Sequence, residues 1–168
     1  RNRGTMGGPL ANNDPAADYP AAMLGLGGTV VTNSRRIPAD EFFTGMFETR
    51  HDRGELIVPL QYPVPPRSAY VKYRHPASGY AIVGAFVAQT VSGVRVAITG
   101  AGPCVFRWRA AGSGLNARLA PDALKGLLPG PEDMLGDVHT SQVRRAHLVN
   151  VITRRSVEKL LHLTGGSN

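Results

Sequence analysis

Residues 80–100 read YAIVGAFVAQTVSGVRVAITG. In the second half of this stretch Val94, Val96 and Ile98 alternate with Arg95, Ala97 and Thr99. That period of two belongs to a strand with one buried face. Val91-Ser92-Gly93 before it has the composition of a tight hairpin turn, so residues 80–90 form the antiparallel neighbour. Working outward, residues 69–74 make a third strand of the same sheet. Upstream of it, Pro63-Val64-Pro65-Pro66 resists both helix and central strand and marks a boundary. The chain therefore divides into residues 1–63 and 64–168.

In the first unit Asp14-Pro15 predicts an N-cap and first helical position, a helix over 16–26, and a stop at Gly27-Gly28. Residues 29–32 are a short strand, and Pro38 opens a second short helix that closes near Gly45. Residues 55–62 are strand-like, with Pro59 calling for an edge position or a bulge. Beyond the sheet of the second unit, helices are expected over 106–119, 121–127 and 140–161. Thr140 or Ser141 caps the last one, and Val143, Leu148, Val151, Ile152, Val157 and Leu160 form its buried stripe. Strands segregated from helices make this an α+β chain: a short mixed unit, then a three-stranded antiparallel sheet packed with helices.

Bulk composition narrows the function. Hydrophobic residues at 42% and charged residues at 18% describe a globular chain rather than a disordered one. No apolar run is long enough to span a membrane, and the N-terminus lacks the plan of a signal peptide. The first residue is Arg1 rather than Met, which suggests a fragment or a processed chain. A single cysteine, Cys104, leaves no intrachain disulfide and fits a reducing, cytoplasmic setting. The net charge of +7 points to an acidic partner surface. Nucleic acid is not expected, because the basic residues occur as scattered doublets without interleaved aromatics. The five histidines lack metal-site spacing, no nucleophile elbow is present, and neither a metal site nor a catalytic acid or base is expected.

The remaining signal is near the start. Gly7-Gly8 follows Thr5, and glycines let a ligand approach backbone amides that can cradle an anion such as a pyrophosphate. Alone, such a pair is most often a turn. Its surroundings add more. The stretch GTMGGPLANNDPAADYPAAMLGLGGTVV (4–31) resembles the corresponding segment of the FAD-binding medium subunit of molybdenum hydroxylases, of the carbon monoxide dehydrogenase, aldehyde oxidoreductase and xanthine dehydrogenase kind. The resemblance continues through IPADEFFTGMFET (37–49), ELIVPLQYPVP (55–65), YVKYRHPASGYAIVGAFVA (70–88) and VRVAITGAG (94–102), in the family's order.

The resemblance implies that residues 1–63 are the second half of an FAD-binding domain and 64–168 the C-terminal flavoprotein domain, with the first FAD subdomain missing. It implies FAD phosphates at Thr5, Gly7 and Gly8, the ribose side of the cofactor at Asp18, and the flavin ring near Lys72 and Tyr80. A lysine there favours an anionic reduced ring, and an aromatic can cover a ring face. Read without the resemblance, Lys72 and Tyr80 are ordinary residues of a half-buried strand. The implied partners are an iron–sulfur small subunit and a molybdenum large subunit, in an electron-transferring oxidoreductase. Pro9 departs from the family's Asn or Ser and removes one donor from the loop. With half of the cleft missing, FAD is expected to bind this chain weakly or not at all, and the chain alone to be inactive. An exposed apolar wall is expected where the other half docks, covered by a separate polypeptide or a homodimer partner. The alternative is a cofactor-free interaction or assembly module derived from the same subunit.

Overall fold

The computed structural model describes residues 4–137 and 140–163. Its N-terminal part comprises helices α1 (Gly7–Asn12) and α2 (Tyr19–Leu26), strands β1 (Thr29–Thr32) and β2 (Arg36–Pro38), helix α3 (Ala39–Phe42), and strands β3 (Phe43–Gly45), β4 (Glu48–Thr49) and β5 (Ile57–Gln61). Strands β6 (Arg67–Arg74), β7 (Ala81–Thr90), β8 (Gly93–Thr99) and β9 (Phe106–Arg107) follow, then α4 (Arg109–Ala117), 3-10 turns at Pro121–Leu124 and Pro131–Asp133, and α5 (Gln142–His162). The α+β class expected from the sequence holds. Among the described residues no helix is long and apolar enough to cross a membrane.

The glycine turn at residues 7–8 opens a helix, which the sequence reading did not anticipate. Pro9 sits in its first turn, where a missing N–H breaks no helical hydrogen bond. The next helix starts later than expected. Asp14 accepts from the Ala16 N–H in a turn, and α2 begins only after Asp18, with Pro20 in its first turn. Pro59 lies in β5, the edge of the sheet β2-β1-β5, at a register shift opposite β1. Edge and irregularity are the two places that tolerate a strand proline.

Strands β6, β7, β8 and β9 form one antiparallel sheet. The 91–92 turn closes β7 onto β8 with Thr90 opposite Gly93, as expected. Two expectations fail here. The sheet has four strands, because Phe106 and Arg107 pair with Ile98 and Ala97 before the helix starts. The sheet is also buried on both faces. Val83, Ala85, Val87, Val94, Val96 and Ile98 meet α4 and α5, with Trp108, Leu115, Val149, Ile152 and Val157 in the same cluster. On the other face Ala97 and Phe86 join Ala21, Leu24, Leu10 and Phe42 under α2. Small residues on that face leave room for a helix. The buried stripe of α5 is shifted too: Ala146, Val149, Ile152, Val157 and Leu160 are buried, whereas Val143 is exposed. Ser141 caps this helix by accepting from the Arg144 N–H.

Two glycines with positive φ separate backbone freedom from packing. Gly79 (φ +72°) faces open space, whereas at Gly100 (φ +80°) a Cβ would strike the carbonyls of Ala81 and Ile82. Gly79→Ala is expected to cost about 1–2 kcal/mol from backbone strain. Gly100→Ala should cost clearly more by urea denaturation; equal losses would contradict this packing.

Candidate functional site

Thr5 and the glycine pair open on solvent. The Thr5 hydroxyl accepts from the Gly8 N–H at 3.1 Å, which bends the chain into α1. Nothing lies within 4 Å of the Cβ position of Gly7, so a ligand can approach the backbone there. Residues 5–8 form one rim of an open cleft of about 790 Å³, whose other walls are His51 and residues 55–58, 60 and 62. The Tyr62 hydroxyl in this wall is buried and has no hydrogen-bond partner among the described residues. Exposed Met6, Leu56 and Val58 give the cleft an apolar border.

A carboxylate hub holds the far wall. Glu55 accepts from Arg35 Nε at 3.0 Å, the Thr32 hydroxyl at 3.1 Å, the Asp52 N–H at 2.6 Å and the Ser34 hydroxyl. Arg35 first, then Ser34 and the Asp52 amide, lower the Glu55 pKa from 4.5 to about 2. Beside it, His51 Nδ1 hydrogen-bonds the Thr49 hydroxyl, and its ring stacks on Phe42 with centroids 6.1 Å apart. The sequence reading missed both His51 and Glu55, which only the fold brings opposite residues 5–8.

Asp18 and Lys72 meet directly. Lys72 Nζ donates to Asp18 Oδ2 at 2.6 Å, and the Tyr70 hydroxyl donates to Asp18 Oδ1. Lys72 is mostly covered, whereas the Asp18 side chain remains 43% exposed. Burial first, then the bond to Asp18 and its charge, push the Tyr70 phenol far above its ordinary pKa. Tyr70 reaches Asp18 by crossing Gly84, which pairs with Lys72 across the β6–β7 ladder; a Cβ at Gly84 would collide with the Tyr70 hydroxyl. A glycine inside an otherwise apolar strand is the one sequence signal that could have pointed to this approach. Tyr80 stands apart, 58% exposed in the turn between β6 and β7. Asp18, Lys72 and Tyr80 do not line the cleft of residues 5–8.

A second hollow, of about 650 Å³, lies among Cys104, Phe106, Trp108, Met134 and Leu135. None of the sequence-predicted site residues reaches it. Burial raises the Cys104 pKa, which makes its thiol a poor nucleophile. Among the described residues no group of three His, Cys, Asp or Glu is placed to hold a metal ion.

Residues 1–65 match the family model described as the FAD binding domain in molybdopterin dehydrogenase. Over 96% of its length the chain is 32% identical to the 6-hydroxypseudooxynicotine dehydrogenase complex subunit alpha of Paenarthrobacter nicotinovorans, covering 60% of that protein. Over 82% of its length it is 31% identical to the carbon monoxide dehydrogenase medium chain of Hydrogenophaga pseudoflava, covering 55% of it. The fold superposes on a chain of the reconstituted CO dehydrogenase from Oligotropha carboxidovorans with a TM-score of 0.84 and 28% identity, covering 95% of this chain and 62% of that one. The chain thus spans somewhat over half the length of these relatives.

Two outcomes check the geometry. Glu55 has a folded pKa below its ordinary value, so its contribution to stability is complete above about pH 4.5 and is lost as pH falls toward about 2. Glu55→Gln should flatten that limb of the stability–pH curve; an unchanged limb would contradict the hub. Tyr70 should resist alkaline ionisation in the folded protein. Gly84→Ala, checked for folding by circular dichroism, should release one more tyrosine to titrate near pH ~10 in the ultraviolet; an unchanged count would contradict the crossing.

Proposed function

We propose, of a chain that belongs to the family of FAD-binding medium subunits of molybdenum hydroxylases, that it supplies one wall of a flavin-dinucleotide site in an electron-transferring oxidoreductase. The match of residues 1–65 to an FAD binding domain, with residues 5–8 open on a cleft, carries this reading. When bound, FAD would supply the electron-transfer chemistry. The residues present fit parts of it. Free space over Gly7 and the exposed start of α1 suit phosphate oxygens. The orphaned Tyr62 hydroxyl offers the cleft a further polar contact.

The ribose role of Asp18 and the ring roles of Lys72 and Tyr80 belong to this proposal. Asp18 keeps enough exposure to accept from a hydroxyl while holding Lys72. A dinucleotide is an extended ligand, so its phosphates and ring need not share one hollow. The first FAD subdomain would close the apolar border of the cleft, and residues 64–168 would present the ring-facing strands. An iron–sulfur small subunit as electron donor, a molybdenum large subunit as the site of substrate oxidation, and a cytoplasmic location complete the reading. The cofactor-free module is not favoured, since the match is to an FAD binding domain.

The test is a flavin-fluorescence titration of the chain with FAD, alone and mixed with a polypeptide carrying the first subdomain. Binding should be weak alone and tighter in the mixture, and Asp18→Ala or Gly8→Val should weaken the mixture about tenfold, the scale of one charge-assisted contact. Binding in the mixture that ignores both substitutions would overturn the assignment.

A further inference from the structure

Away from the cleft, α3 faces the end of the large sheet. Asp40 in α3 accepts from two arginines, Arg95 Nη2 at 2.7 Å through Oδ2 and Arg107 Nη1 at 3.2 Å through Oδ1. A hollow of about 260 Å³ opens beside this bridge, lined by Leu24, Asp40, Phe43, Arg107 and Arg109 among others. Two guanidinium groups thus bond one carboxylate, and Arg109 lines the same hollow without touching it. Burial first, then the charge of Arg95, lowers the Arg107 pKa; Asp40 opposes this and Arg109 adds to it. The Nε atoms of Arg95 and Arg107 are buried without hydrogen-bond partners among the described residues.

Arg109 makes the excess harder to explain as mere packing. It is the first residue of α4, where the helix dipole disfavours a cation, and the first turn holds no acidic residue. No ion pair to Arg109 occurs among the described residues. Its neighbour Arg107 is only 15% exposed and its bond to Asp40 is long. Arg107 and Arg109 both line the small hollow, and forked, planar donors suit the oxygens of a tetrahedral dianion.

We propose that the hollow between α3 and the 106–109 segment binds a small phosphate group, either inorganic phosphate or the terminal phosphate of a monoester, held by Arg107 and Arg109. Arg95 stays engaged with the Leu24 carbonyl and Asp40 and contributes through its charge. This site uses none of the residues assigned to the flavin dinucleotide, so it stands or falls separately from that reading.

Isothermal titration calorimetry of the whole chain with inorganic phosphate, at constant ionic strength set by chloride, tests it. Saturable binding is expected, weakened about tenfold by Arg109→Gln. Arg109 is exposed, so this substitution should leave the fold intact. Arg144→Gln, an exposed cation on α5, should leave binding unchanged. Glycerol 3-phosphate, a monoester with no adenine for the flavin-dinucleotide cleft, separates the sources in a second series: tighter binding than phosphate identifies a monoester, and equal or weaker binding identifies the free anion. Phosphate binding that is absent, or that Arg109→Gln and Arg144→Gln reduce equally, would overturn the proposal.

Discussion

The structure depends on how α2 is held against the far face of the large sheet. That face carries Tyr70 and Lys72 from β6, Phe86 and Gly84 from β7, and Arg95, Ala97 and Thr99 from β8. Its polar groups do not face water; they grip the helix and the turn before it. Tyr70 and Lys72 hold the Asp18 carboxylate at the start of α2. Thr99, fully buried, donates toward the Ala17 carbonyl at 2.7 Å with the Pro15 carbonyl 3.0 Å away. At the other end Arg95 donates to the Leu24 carbonyl at 2.8 Å, placing a cation where the helix dipole favours one. Between these ends the helix approaches so closely that Gly25 has no room for a Cβ beside Phe86. Polar groups that sit buried must be paired, and here the pairing also fixes the position of the helix.

This arrangement explains which parts of the fold were legible in the sequence. The alternation of Val94, Val96 and Ile98 located β8 and its core-facing side. It was silent about Arg95, Ala97 and Thr99, because a face of small and polar residues looks solvated until its partner helix is known. Strand β9 was hidden for a similar reason: two residues show no period, and Phe106 reads equally well as the start of the helix that follows. Proline and serine signals fared better where the physics is local, as with Pro59 on an edge strand and Ser141 at the start of α5. The α5 stripe was misplaced around the helix: Val143 is exposed and Leu148 and Val151 are only half-buried, whereas Ala146 and Val149 are buried.

The candidate site was legible only in part. Residues 5–8 carry a glycine signal that chemistry can interpret, and the structure leaves them open. Asp18 and Lys72 entered as separate contacts, whereas the fold makes them an ion pair with Tyr70 as a third member. One residue thus serves both the architecture and the surface that a ligand would meet. His51 and Glu55 had no pattern of their own in the sequence; only the return of β5 beside β1 sets them across the cleft from α1. The arginines around Asp40 were equally silent, since Arg95, Arg107 and Arg109 come from three different elements.

The grip on Asp18 is the link that unites helix and sheet, and a double-mutant cycle measures it directly. Asp18→Asn, Tyr70→Phe and the double variant would be unfolded in urea and compared with the parent chain. A coupling free energy of about 1 kcal/mol is expected between the two positions, reduced from a fully buried pair by the exposure of Asp18. Additive losses would show that the phenol and the carboxylate do not act on each other, and the account of how α2 is anchored would be wrong.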